Sequence, residues 1–198
     1  MKRMILTLLL AVITLPAHAR ELGDVEAYFN SLSTFKAHFI QYTIGSTESY
    51  SGTFYLKKPG KFLWDFKDPV PHQLVSDGGR IFFKDGQNEQ ITQLPSSNPL
   101  YQFIGKGSIS LPPEGFSTAY INQLDGTLEV SFIPEKEEDQ NTLSRIDMVF
   151  TTPDIQLRKI SSVDALGNET HVVFSDIQEG VELANHMFKM ELPHYQEN

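Results

Sequence analysis

The stretch Gly52-Thr53-Phe54-Tyr55-Leu56-Lys57-Lys58-Pro59-Gly60-Lys61-Phe62-Leu63-Trp64-Asp65-Phe66 changes character at every second residue. Phe54 and Leu56 alternate with Thr53, Tyr55 and Lys57, and Phe62, Trp64 and Phe66 alternate with Leu63, Asp65 and Lys67. A period of two puts each apolar set on one side of a strand. Two neighbouring strands are therefore expected, with five large apolar side chains on one buried face.

The same period extends outward. Phe35, Ala37 and Phe39 alternate with Lys36 and His38, which places His38 toward solvent. Further strands are expected at Gln90–Leu94, Thr127–Ile133, Leu143–Phe150, Ile155–Val163, Thr170–Phe174 and Met187–Leu192. Asp77-Gly78, Asp85-Gly86 and Asp125-Gly126 are tight-turn signals between such runs, and Gly167-Asn168 is a weaker one. Strands joined by short turns without intervening helices imply an antiparallel sheet, so the fold class is mainly β (α+β). Gly23 to Leu32 reads as a helix, with Leu22, Val25, Tyr28/Phe29 and Leu32 at helical spacing and Asp24 able to cap it. A short helix is expected after Asn98, with Pro99 in its first position, Gly105 at its end, and Leu100, Phe103 and Ile104 on one face. Ser117 to Leu124 reads as a weaker helix, and the acidic run from Pro134 to Asn141 as a solvated hairpin loop.

The N-terminus points to export. Lys2-Arg3 precedes an apolar run from Met4 to Leu15, and Pro16-Ala17-His18-Ala19 ends it with a small-residue cleavage pattern. The run falls short of the about 20 residues that span a bilayer. Residues 1–19 are expected to be a cleaved signal peptide and residues 20–198 a single domain. A chain of that length buries about 70% of its unfolded surface. The formal net charge of −9 becomes −11 once Lys2 and Arg3 leave. That sign argues against nucleic acid as a partner, since phosphate rewards Lys and Arg. The chain has no cysteine, so an exported protein of this sequence is held by its core without disulfides, and no cysteine exists to carry a covalent lipid.

Catalytic signals are missing. Thiol chemistry is impossible, Gly105-Lys106-Gly107-Ser108 does not have the spacing of a nucleophile elbow, and the histidines show no metal-ligand spacing. No enzyme activity, metal or cofactor is expected; a carboxylate pair assembled only by the fold stays open. What stands out is apolar: fourteen Phe, seven Tyr and one Trp exceed what a sheet packed on two helices needs. Alternation alone favours the plain reading, in which these rings fill a solid core. Lys58 disturbs it. Strict alternation puts Lys58 on the face of Phe54 and Leu56, where its ammonium must snorkel to the edge or find a specific acceptor.

Several of these stretches resemble one family. Gly52 to Trp64 resembles the signature of the periplasmic outer-membrane lipoprotein carriers, the LolA family. There a Gly-led strand ends in a basic pair and Pro before an aromatic-x-Trp strand. Phe39-Ile40-Gln41 resembles the family's F-x-Q, Leu74 to Gly78 its second strand and turn, and Asn98-Pro99 its short lid helix. Phe188 to Pro193 resembles its closing F-x-F-x-x-P, with Met190 in place of the second Phe. The likeness runs from about Leu22 to Pro193. It implies an unclosed antiparallel half-barrel whose concave side, covered by a helical lid, forms an apolar cavity of several hundred Å³ for acyl chains. Phe39, Phe54, Leu56, Phe62, Trp64 and Phe66 would line it from the sheet, and Leu100, Phe103 and Ile104 from the lid. Lys58 would act at the lid as a switch, where the family usually has Arg; Lys is a point donor and lacks the planar fork.

The resemblance further implies acylated lipoproteins as cargo, an inner-membrane lipoprotein-releasing transporter as donor and an outer-membrane lipoprotein receptor as acceptor. The protein itself would be a periplasmic monomer. A half-barrel that senses lipids or mislocalised lipoproteins is the alternative from another class, and a hydrolase with a nucleophile–base pair facing the cavity is a third.

Overall fold

The computed structural model describes residues 17–94, 107–124, 126–140 and 142–190. The alternating segments become eleven strands among the described residues. They are β1 (Thr34–Thr43), β2 (Ser49–Lys57), β3 (Lys61–Asp68), β4 (His72–Asp77), β5 (Ile81–Asp85), β6 (Ile91–Leu94), β7 (Phe116–Leu124), β8 (Thr127–Pro134), β9 (Leu143–Thr151), β10 (Gln156–Asp164) and β11 (Glu169–Glu179). They form one antiparallel sheet in the order β6-β5-β4-β3-β2-β1-β11-β10-β9-β8-β7. The chain thus makes two meanders, β1–β6 and β7–β11, fused where β1 pairs with β11. The sheet stays open, with β6 and β7 as its edges.

Turn chemistry holds the hairpins in register. Between β4 and β5, the Asp77 carboxylate accepts the N–H groups of Gly79 at 2.9 Å and Arg80 at 2.8 Å. Gly78 takes φ +101°, which a side chain would resist. Between β10 and β11, Asp164 accepts the N–H groups of Leu166 and Asn168, each at 2.9 Å. Short side chains that bond their own turn are the reason such positions read as turns.

The sheet is strongly curled. Five strand spacings separate β3 from β9, about 24 Å in a flat sheet. Yet Trp64 of β3 and Met148 of β9 line the same small cavity. Register slips in the β1–β11, β2–β3, β7–β8 and β9–β10 ladders contribute, because a bulge adds local twist and bends its strand.

Helix α1 (Ala17–Ser31) lies on the concave side. It begins before the Gly23 expected from periodicity. Its buried residues Val25, Tyr28 and Phe29, with Leu32 just beyond, are those of the apolar stripe, and they join the main core with the apolar side chains of β1–β3 and β8–β11. A second, smaller core sits on the convex side. There Leu183 and Phe188 cover Leu63 of β3 and Val75 of β4. Lys57 Nζ donates to the Leu183 carbonyl at 2.6 Å and Thr34 Oγ1 to that of Val181 at 2.8 Å, binding this strap to β1 and β2.

Three expectations change. Ser117 to Leu124 is no helix; it lies within edge strand β7, where Ile121 faces Val130 and Gln123 faces Leu128 of β8. An edge strand buries little on either face, so it has no alternation to read, and pairing decides its conformation. The segment expected as a strand from Met187 is instead a 3-10 turn at Asn185–Phe188, because Phe188 is buried as an anchor of the convex strap. The acidic run after Pro134, expected as a loop throughout, carries one helical turn, α2 (Glu137–Gln140). The helix expected after Asn98 lies outside the described residues.

Gly52 shows how tightly the β2–β3 bend is drawn. A Cβ there would sit 2.1 Å from the Asp65 carbonyl oxygen and 2.9 Å from Phe66 Cα, both backbone atoms that cannot swing aside. Gly52→Ala is expected to part the two strands and cost about 1–3 kcal/mol, as overpacking does. A fall in the urea midpoint measures it, and an unchanged midpoint would show that the bend tolerates a side chain.

Candidate functional site

Ten residues converge between α1 and the sheet. Phe29 and Leu32 come from α1 and its end, Phe35 from β1, Phe54 and Leu56 from β2, and Trp64 from β3. Met148, Leu157, Ile160 and Phe174 come from β9, β10 and β11. The lining is entirely apolar in character, and the space it encloses is small, about 30 Å³. That is room for one or two water molecules. The expected cavity of several hundred Å³ is therefore not open among the described residues. The physical reason is α1, whose Phe29 meets Phe150 edge-on at 5.8 Å, together with rings of the central strands that close on one another. Phe35, Phe54 and Phe174 form such a set, with centroids 5.9 to 6.1 Å apart.

The sheet residues singled out from alternation are all buried on this face. Phe54, Leu56 and Trp64 line the cavity itself. Phe39, Phe62 and Phe66 belong to the same apolar core without touching the cavity. Phe39 and Phe66 pack edge-to-face at 4.9 Å just behind Trp64. Leu100, Phe103 and Ile104 lie outside the described residues. Phe29, Leu32, Phe35, Met148, Leu157, Ile160 and Phe174 were not singled out, though Phe35 and the α1 stripe carried the signal. The far-wing residues look in sequence like any half-buried strand; only the β1–β11 pairing brings them opposite Trp64.

Lys58 stands at the end of this face. Its ammonium donates to the Phe29 carbonyl in the last turn of α1, and its backbone N–H donates to the Ser33 carbonyl at 2.9 Å. Helix α1 has no basic residue in its own last turn. Lys58 therefore supplies from the sheet the positive charge that a helix C-terminus favours. Partial burial lowers its pKa below the ordinary value. The same residue thus holds the helix end down at an electrostatic disadvantage to itself.

Three more side chains seat α1. Asn30 exchanges two hydrogen bonds with the backbone of Ile109, at 2.9 and 2.8 Å. Glu26 accepts the Leu111 N–H at 2.9 Å. The Tyr28 hydroxyl donates to Glu179 of β11 at 2.8 Å and accepts from the Leu157 N–H at 3.3 Å. All of these contacts are hydrogen bonds to a few points on the sheet and on the 107–111 segment, so α1 is a cover held at its rim over an apolar bed.

The polar groups of the sheet gather elsewhere. Ser131, Asp147, Ser161 and His171 form a row across the convex side of β8–β11, each under 9% exposed. Ser161 Oγ is 2.7 Å from His171 Nδ1, and His171 Nε2 is 3.4 Å from Glu169. Asp147 is held by Ser131 and, at 2.9 Å, by Arg145. A serine beside a histidine suggests nucleophilic chemistry, but Ser161 is 1% exposed, and the row lies on the opposite side of the sheet from the apolar space. It reads as the satisfied hydrogen bonding of buried polar groups.

Tyr28 gives the seat of α1 a pH signature. Burial, then the Glu179 carboxylate that accepts its proton, push its pKa far above the ordinary 10.0, against the opposing Leu157 N–H. Above pH 10 the unfolded chain releases this proton while the folded chain keeps it. The unfolded state then binds fewer protons, so stability falls as pH rises. Tyr28→Phe is expected to cost about 1–3 kcal/mol at neutral pH, because the Leu157 N–H loses its acceptor. The gap between parent and variant should narrow as pH climbs above 10. Denaturant titrations of both proteins at neutral and alkaline pH check this; a constant gap would mean that Tyr28 ionises alike in both states.

Comparison with known proteins agrees with this geometry. The family described as outer membrane lipoprotein carrier protein LolA matches residues 30–191. The outer-membrane lipoprotein carrier protein of Methylobacillus flagellatus is 27% identical over 180 residues, covering 86% of this chain and 84% of the relative. That of Nitrosospira multiformis is 28% identical over 190 residues, covering 91% and 88%. Among solved structures, an uncharacterized conserved protein from Thermus thermophilus superposes with a TM-score of 0.56 at 10% identity, covering 90% of this chain and 96% of that one. That last likeness speaks for the fold alone. A match over most of the chain, on an open eleven-stranded sheet wrapped around an apolar bed, makes this protein a member of the LolA family.

Proposed function

We propose that this protein is a periplasmic, non-enzymatic carrier that takes the acyl chains of lipoproteins onto the concave face of its sheet. Its cargo passes from an inner-membrane lipoprotein-releasing transporter to an outer-membrane receptor, and it works as a monomer after loss of residues 1–19. The observation that carries the reading is the continuous apolar lining contributed by α1 and six strands, closed by a cover with polar fastenings at its rim. Family membership supports it. Among the described residues no helix is long and apolar enough to cross a membrane.

The energetics give the fold its task. Hiding one acyl chain of ~16 carbons from water is worth about 12 kcal/mol at ~0.8 kcal/mol per methylene, so a lipoprotein does not cross water unescorted. Among the described residues the apolar space between α1 and the sheet has room for only about 30 Å³. Loading therefore requires α1 to rise and the rings to part, and the apolar area this uncovers is re-covered by the acyl chain. Cargo binding and closure compete for one face. The direction of transfer is downhill, from a weaker-binding donor to a tighter-binding acceptor.

Lys58 sets the balance. It fastens the end of α1 in the closed state and must let go in the open one. Lys58→Leu removes the fastening at little cost to folding, since a cation near a helix C-terminus is worth about 0.3–1 kcal/mol. The variant is expected to load, retain its cargo and pass it on more slowly in a transfer assay with purified acceptor. Lys58→Arg should hold the closed cover more firmly through its fork and take up less lipid. Transfer by Lys58→Leu at the parent rate would remove the switch. At the level of the cell, depletion should leave lipoproteins at the inner membrane; unaltered localisation in a strain with no second carrier would refute the transport role.

A further inference from the structure

One buried side-chain polar atom among the described residues has no hydrogen-bond partner, the indole Nε1 of Trp64. Trp64 is 6% exposed, and its neighbours are rings. Phe54 lies 5.0 Å away, Phe39 stands edge-on at 5.6 Å, and Phe66 stacks at 6.1 Å. An indole N–H is a donor only, and a ring face accepts it weakly at best. A phenyl ring in this place would bring apolar bulk without the penalty of a dry, unmet donor. That donor belongs to a residue that lines the apolar cavity, where the other nine residues offer no side-chain acceptor beyond the weak thioether of Met148.

The chemistry of what completes this donor is narrow. It must arrive on a long apolar group, since the rest of the lining is hydrocarbon and rings. It must accept a hydrogen bond. It should bring no donor of its own, because the described lining residues have no good side-chain acceptor to receive one. A bare carboxylate fails, for the described lining residues hold no counter-charge, Lys58 at the end of the face is already bonded to the Phe29 carbonyl, and an unpaired buried charge is costly. An alcohol or a secondary amide brings an O–H or N–H that would itself go unpaired. An ester carbonyl meets every condition. We propose that Trp64 is the polar subsite of this pocket, its indole N–H donating to the ester carbonyl oxygen of an O-acyl chain. The proposal rests on the reading of the concave face as an acyl-chain site and adds to it a preference: O-acyl esters over N-acyl amides and over hydrocarbon alone.

The test uses the full mature chain and three probes of nearly equal length: methyl palmitate, N-methylpalmitamide and hexadecyl methyl ether, whose oxygen is a poorer acceptor. Affinities come from displacement of a fluorescent fatty-acyl probe. The parent should bind the ester about tenfold tighter than the ether, the worth of one hydrogen bond made to an otherwise unmet buried donor, with the amide between them. Trp64→3-benzothienylalanine keeps the shape of the indole and replaces N–H by sulfur. In that variant the ester should lose its advantage while ether affinity is unchanged, and the empty protein should melt at or above the parent's temperature. Trp64→Phe repeats the comparison without a non-natural residue. If the parent binds ester and ether alike, if the amide binds tightest, or if the ester's advantage survives in both variants, the subsite is wrong and the acyl-chain reading stands. A lower melting temperature for the benzothienyl variant would also overturn it, because the N–H would then have a partner in the empty protein. Should the parent bind none of the probes, the acyl-chain reading itself fails.

Discussion

The pairing of β1 with β11 is the constraint on which the rest depends. It joins strands from opposite ends of the chain, with Phe39 facing Phe174 and Phe35 facing Glu179 across a bulge. Without it the chain would hold two separate meanders, each with an apolar face too narrow to enclose anything. With it, one open sheet curls far enough for β3 and β9 to share a cavity wall. The bulge opposite Lys36 and His38 lies in this central ladder, where extra twist bends both wings. Antiparallel pairing of distant segments is entropically slow to form but leaves both faces free for different uses.

Those uses are divided between the two sides. The concave side is hydrocarbon and rings, covered by α1. The convex side carries a row of mutually bonded polar groups on β8–β11 and, over β3 and β4, the strap anchored by Leu183 and Phe188. The strap explains why Leu63, which alternates out of the concave set, is nonetheless buried. Polar networks and strap tie down the outer surface, while α1 covers the inner one. The apolar stripe of α1 rests on the bed, and its side-chain bonds include Lys58 to the helix end, Tyr28 to Glu179 and Leu157, Asn30 to Ile109 and Glu26 to Leu111.

Among the described residues the rings make a nearly solid core, the reading that alternation alone favours. Most of their contacts are edge-to-face or tilted, with centroids about 5 to 6 Å apart, and Phe66 stacks on Trp64. Trp64 is the telling member, since a core selected only for packing has no need of an N–H it does not satisfy.

Sequence by itself determined the strands that have one buried face, the turns built on Asp and Gly, and the concave set Phe39, Phe54, Leu56, Phe62, Trp64 and Phe66. Each of these is a local matter: period two, short side chains bonding their own turn, and the burial of apolar area. It also marked Lys58, because a cation at the end of an apolar face is out of place whatever covers it. Tertiary structure alone decided three things. Edge strand β7 has too little buried surface to leave a pattern, so its pairing with β8 fixed it. Phe188 became an anchor for the convex strap because Leu63 and Val75 needed covering. Met148, Leu157, Ile160 and Phe174 became walls of the cavity only because β1 and β11, distant in the chain, close the sheet's centre and curl one wing toward the other. A residue's face can be read from its neighbours in sequence; what that face meets depends on contacts that no local period encodes.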